Sequence, residues 1–125
     1  MRLANKTAIV TGGGSGIGEA ICIAFAREGA AVAVADRNLK GAETVVSKIE
    51  AAGGRAIAVE VDITDLPAIK RMEAAVQKTL GQVDILVNNA GARVIKGFMQ
   101  HSNDDWNAML DINLSGPFHC AQAVV

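Results

Sequence analysis

The chain has 125 residues, half of them hydrophobic and 20% charged, which fits one modest globular domain with its own core and leaves no room for several. Twelve Lys and Arg against 13 Asp and Glu give a net charge of −1, so neither nucleic acid nor an anionic membrane surface is an expected partner. Residues 1–6 lack the apolar stretch of a secretory leader, and the longest apolar runs, such as residues 30–35, are too short to span a bilayer.

Along the chain, Ala8, Ile9 and Val10 form a short apolar run that ends in a glycine cluster over residues 11–18. Ile17, Ile21, Cys22 and Phe25 then recur at helical spacing, and Gly29 supplies the stop. Residues 30–35 read as a second buried strand, closed by Asp36. Ala42, Val45, Val46 and Ile49 mark a helix over residues 38–52, which Gly53 and Gly54 end. Ile57, Val59 and Val61 carry the β-branched signal of a third strand over residues 56–61. Asp65 can cap the following helix, Pro67 fits its first turn, and Ile69, Met72, Val76 and Leu80 form its inner face up to Gly81. Residues 83–87 are the fourth strand, followed by Asn88-Asn89-Ala90-Gly91 and a loop. Ser102 and Asp105 form a capping box for a last helix bearing Trp106, Met109, Leu110, Leu114, Phe118 and Ala121. Cys22 and Cys120, both in helix-like segments, read as buried free thiols, which fits a reduced, cytoplasmic setting.

The order β-α-β-α-β-α-β-α, with strands apolar throughout, predicts an α/β fold: a Rossmann-like, doubly wound parallel sheet covered on both faces. Right-handed crossovers give it the strand order 3-2-1-4. Its strongest chemical signal is Thr11-Gly12-Gly13-Gly14-Ser15-Gly16-Ile17-Gly18, set between the first strand and the first helix. A backbone that turns sharply and approaches a pyrophosphate cannot carry side chains throughout, and the helix start behind it offers free N–H groups and a positive dipole end. Ser15 can add a hydroxyl donor, and Gly18 would let the helix pack closely on the sheet. The spacing G-x-x-x-G-x-G differs from the ordinary dinucleotide fingerprint, but strand, helix and a following acid, Asp36, are all in place. Asp36 can accept hydrogen bonds from the adenosine ribose and would repel a 2′-phosphate, favouring NAD over NADP. Arg37 beside it is either a solvated charge or a partner for that phosphate.

This glycine loop, the Asn88-Asn89-Ala90-Gly91 motif after the fourth strand, and Asn113 within Asp111-Ile112-Asn113-Leu114 together resemble the classical short-chain dehydrogenases/reductases. The resemblance covers residues 6–125. It implies that Gly12, Ser15, Gly16, Ile17 and Gly18 line the pyrophosphate and nicotinamide ribose. Asp62 and Ile63 would lie against the adenine, and Asn89, Ala90 and Gly91 under the adenosine ribose. Asn88 and Thr11 would stabilise the centre of the sheet. Asn113 matches the asparagine that bends the helix and holds a water in the proton relay, which makes it the one catalytic residue present. Read without the family, a plain polar turn is the lesser alternative for Asp62 with Thr64 and Asp65, and a mere turn signal is that for Asn88 to Gly91. Asn113 would need polar partners if buried, and Pro117 makes an irregular helix there physically reasonable.

The resemblance further implies a strand-five serine and a Tyr-x-x-x-Lys pair for hydride transfer, yet the 125 residues contain no Tyr. The chain is therefore expected to be the cofactor-binding portion, residues 1–125, truncated before the fifth strand and inactive alone. Arg93 and Lys96 are substrate-contact candidates; Asp104 and Asp105 read as helix-start compensation, and His101 and His119 as surface or helix-face residues. The fourth strand should have an unpaired edge, and the apolar last helix should be covered by further segments or another subunit, suggesting a homo-oligomer. The expected substrate is a small alcohol or carbonyl compound, with no metal. A non-catalytic dinucleotide-binding or regulatory module is the alternative; a ligand-free remnant of the fold fits the intact loop less well.

Overall fold

The computed structural model describes all of residues 1–125. Four strands, β1 (Thr7–Thr11), β2 (Ala31–Asp36), β3 (Arg55–Glu60) and β4 (Ile85–Val87), form one sheet. All pairings are parallel, in the order β3-β2-β1-β4. Ile9 of β1 lies opposite Ala33 on one side and Leu86 on the other, so β1 is the centre and every residue of it is buried.

Helices α1 (Gly16–Arg27), α2 (Leu39–Ala51) and α3 (Leu66–Leu80) return the chain between strands. Adjacent strand residues point to opposite faces. Val10, Val32 and Val34 thus pack with Cys22, Val45 and Ile49 under α1 and α2. Ile9, Ala33 and Ala35 pack with Ile69, Met72 and Val76 of α3 and with Cys120. A side chain such as Ile9 or Ile69, fully buried, contributes about 1.5–3 kcal/mol by leaving water. Both cysteines are buried and free, and burial pushes the Cys22 thiol up to about 12.

The helix ends follow their capping chemistry. Asp65 accepts from Ala68 N–H at 3.3 Å, and Ser102 and Asp105 form the reciprocal capping box. Gly29 follows the end of α1 with φ +94°, a conformation that favours glycine.

Three details depart from the sequence reading. Strand β4 is shorter than residues 83–87, because the Asp84 carboxylate, not the backbone, takes the Thr7 N–H at 2.9 Å. The loop after β4 contains a single 3₁₀ turn, Phe98–Gln100. The last helix is two helices, α4 (Asn103–Leu110) and α5 (Gly116–Val124), joined by a π turn, Asp111–Ser115. Pro117 has no N–H, so it cannot bond the Asn113 carbonyl as a regular α-helix would require. The wider turn instead bonds Gly116 N–H to the Asp111 carbonyl.

Candidate nucleotide-binding cleft

The carboxyl ends of the strands meet at a cleft of about 450 Å³. It lies where the sheet order reverses between β1 and β4, the place where open α/β sheets bind ligands. Its floor is tied together by one buried hydroxyl. Thr11 Oγ1 donates to the Val87 carbonyl at 3.3 Å and accepts the N–H groups of Asn89 and Ala90, each at 3.1 Å. The Asn89 amide donates to the carbonyls of Thr11 and Gly12 at 3.1 and 3.2 Å. The end of β4 and the glycine loop are thereby one rigid unit. The sequence reading gave this structural role to Asn88; Asn88 is exposed, and Asn89 performs it.

The glycines act at different places. Gly12 turns the chain with φ +65° against Asn89 and Ala90. A Cβ on Gly18 would collide with the Gly12 carbonyl oxygen and the Asn89 amide. Gly18 is buried, and its surface does not line the cleft. It lets the first turn of α1 close onto the loop itself. Ser15 precedes α1 in extended conformation, and its hydroxyl makes no capping bond. The first backbone bond of this helix is Glu19 N–H to the Ser15 carbonyl, which leaves the N–H groups of Gly16, Ile17 and Gly18 without a protein acceptor. Ile17 is 75% exposed on the same rim, an apolar side chain with nothing of this chain to cover it.

The opposite wall carries the charges. The Asp36 carboxylate accepts Gly14 N–H through Oδ2 and Asn38 N–H through Oδ1, both at 2.9 Å. Asp62 Oδ1 accepts the Thr64 hydroxyl at 2.7 Å and its N–H at 2.9 Å, and Oδ2 lies 4.0 Å from Arg37. The Thr64 hydrogen bonds, aided by Arg37, hold the Asp62 carboxyl below its ordinary value despite some burial. The polar-turn reading of Asp62 is thus realised, while the residue also borders the cleft.

Of the residues singled out from sequence, Gly12, Ser15, Gly16, Ile17, Asp36, Asp62, Ile63, Asn89, Ala90 and Gly91 all line the cleft. Ile63 does so with a side chain mostly committed to the core, where it packs beneath Gly116. Asn113 does not line it, and it is exposed, not buried. It nevertheless has its polar partners: Nδ2 donates to the Ala92 carbonyl at 2.7 Å and Oδ1 accepts Ala92 N–H at 3.2 Å. The π turn brings it there, and it pins the segment that leaves Gly91. Ala35, Val61, Ala92 and Ile112 also line the cleft and were missed, since an apolar residue at or near the end of a strand or helix gives no chemical signal. Lys96 is held by Asp105 at 2.8 Å, outside the cleft. His101 is partly enclosed with Nδ1 lacking a partner.

A parallel doubly wound sheet, a glycine loop feeding an open helix N-terminus and an acid closing β2 define the class: an α/β domain of the dinucleotide-binding architecture. The profile of the family described as short chain dehydrogenase matches residues 6–125, and the chain belongs to that family. It is similar to meso-2,3-butanediol dehydrogenase of Serratia marcescens, 38% identical over 98% of this chain and 48% of that protein. It is also similar to a 3-oxoacyl-[acyl-carrier-protein] reductase of Thermotoga maritima, 35% identical over the whole of this chain and 51% of that one. A solved structure of 7α-hydroxysteroid dehydrogenase complexed with NADH and 7-oxo glycochenodeoxycholic acid superposes with TM-score 0.95. It is 41% identical, over 98% of this chain and 49% of that one. The chain spans about half the length of the relatives it matches.

Proposed function

We propose that residues 1–125 are the NAD-binding portion of a short-chain oxidoreductase that moves a hydride between nicotinamide and a small alcohol or carbonyl substrate. The observation that carries this reading is the pairing of an unsatisfied α1 N-terminus with the Asp36 carboxylate across one cleft. The residues fit the group. Three unbonded N–H groups, the uncommitted Ser15 hydroxyl and the helix dipole suit a pyrophosphate.

Each Asp36 oxygen uses one lone pair within the chain and keeps a second for ribose hydroxyls. Its charge opposes a 2′-phosphate, and the one guanidinium nearby, Arg37, leans toward Asp62. NAD is therefore favoured over NADP, in keeping with the NADH-bound relative. Ile17 would cover the ligand with an apolar side chain, and Asn89 and Asn113 would fix the floor and the Gly91–Ala92 wall in place.

When bound, the nicotinamide supplies the hydride chemistry. Proton transfer is not provided by these residues, because the only titratable groups lining the cleft are Asp36, Arg37 and Asp62. Asn113, beside the cleft, is the family's relay asparagine by position. The reading includes a cytoplasmic setting and a homo-oligomer that covers the exposed Trp106, Leu114 and Phe118. No helix is long and apolar enough to cross a membrane.

Calorimetry with NAD tests the reading. Saturable binding by the chain, weakened about tenfold by Asp36→Ala as a charged hydrogen-bond acceptor is lost, is the expected result. No turnover at 340 nm with simple ketones is expected of these residues alone. Heat traces without binding, or binding indifferent to Asp36, would refute it.

A further inference from the structure

We propose that Asn38 and Gly41, at the start of α2, are positioning residues that hold the Asp36 carboxylate and the glycine loop in register for the nucleotide. The proposal rests on the NAD-binding reading above and adds to it a second tier of residues outside the cleft lining.

The observations form a closed ring. The Gly14 N–H reaches Asp36 Oδ2 at 2.9 Å, and Asp36 Oδ1 takes the Asn38 N–H at 2.9 Å. The Asn38 side chain in turn accepts the Gly41 N–H at 3.1 Å as the N-cap of α2. Gly41 returns to the start: a Cβ there would lie 3.1 Å from the Gly14 carbonyl oxygen. From the other side, a Cβ on Gly14 would lie 2.8 Å from Asp36 Oδ2 and 3.0 Å from Ala42 N. Two glycines thus allow the loop backbone and the first turn of α2 to touch with no side chain between them.

The physical consequence concerns orientation. A carboxylate on a single bond from the backbone rotates unless its oxygens are bonded from fixed directions. Asp36 is bonded from two elements, the glycine loop and the start of α2. If the Asn38 cap is lost, the first turn of α2 frays and carries the Asn38 N–H with it. If a methyl group is added at Gly41, the loop and the helix must part by a few tenths of an ångström. Either change leaves Asp36 chemically intact but less firmly aimed. The expected signature is a loss of discrimination at the adenosine ribose, not a uniform loss of affinity.

The test is fluorescence titration of the full chain with NADH and with NADPH, in wild type, Asn38→Ala, Asn38→Ser and Gly41→Ala. Asn38→Ala and Gly41→Ala are expected to weaken NADH about fivefold, the scale of a lost helix cap, and to change NADPH less than twofold. The ratio between the dinucleotides then narrows. Asn38→Ser, which still caps, is expected to keep wild-type values and to show that the chain tolerates substitution there. An equal loss for both dinucleotides, or unchanged NADH affinity in Asn38→Ala, would overturn the positioning role. Wild-type chain that binds no NADH would sink the NAD reading and this inference with it, whereas binding with unmoved variants sinks the inference alone.

Discussion

Residues 7–36 and residues 103–124 are built on opposite terms. In the first stretch β1 is wholly buried, Val32 to Ala35 of β2 are inaccessible, and the polar groups of Thr7, Thr11 and Asp36 are bonded to named partners. In the second, α4 buries none of its residues, and Trp106, Leu114 and Phe118 are each at least 60% exposed. The strands of the first region satisfy themselves within the chain and leave open only the start of α1, which is what a preorganised ligand site requires. The second presents apolar surface beyond what its own chain covers, which is how a packing face for other segments or subunits is made.

The contrast can be broken most forcefully in the centre of the sheet. Ile9→Ala is expected to cost about 3–4 kcal/mol in urea unfolding, since the cavity would sit between two packed layers. A cost below about 1 kcal/mol would mean the sheet centre is loosely packed. Thr11→Val keeps the volume but strands two N–H groups and a carbonyl, with an expected loss of about 2 kcal/mol and weaker NADH binding. Phe118→Ala removes a larger side chain than either, yet its expected cost in the monomeric chain is within about 0.5 kcal/mol. A larger cost that grows with protein concentration would show that assembly covers this face.

The smallest effect lies at the start of α4. The Lys96 ammonium, with the Ser102 N–H, holds the Asp105 carboxyl at about 2, below its ordinary 3.8. A group whose value is lowered by folding stabilises the fold above its unfolded value and loses that contribution as the pH falls toward the folded one. Wild type should therefore lose a small increment of stability between about pH 4 and pH 2 that Asp105→Asn does not lose. Parallel acid titrations of the two proteins, followed by circular dichroism, measure the difference.

The same contrast explains what was legible in the sequence. Strand order, the Asp65 and Ser102 caps and the inner face of α3 follow from local periodicity and capping chemistry, which the structure reproduces. Ten cleft residues were legible because glycine spacing and strand-end acids have chemical reasons to be where they are. The packing partner of Gly18 and the role given to Asn88 differ from the sequence reading for one reason: sequence shows that a residue type is required, but not which neighbour requires it. Gly18 answers to the Gly12 carbonyl, and the bridging amide belongs to Asn89. Asn113 illustrates a third case, in which Pro117 announced an irregular turn while the exposure of the asparagine and its bond to Ala92 depended on how the β4 loop folds back.

The claim on which the rest depends is that the cleft between the glycine loop and Asp36 holds NAD in preference to NADP. Its most direct test is a titration of the unmodified chain with NADH, followed by nucleotide fluorescence, with NADPH added as competitor. Saturable enhancement that NADPH displaces only at much higher concentration is the expected result. A signal that never saturates, or one that NADPH displaces as readily as NADH itself, would contradict it.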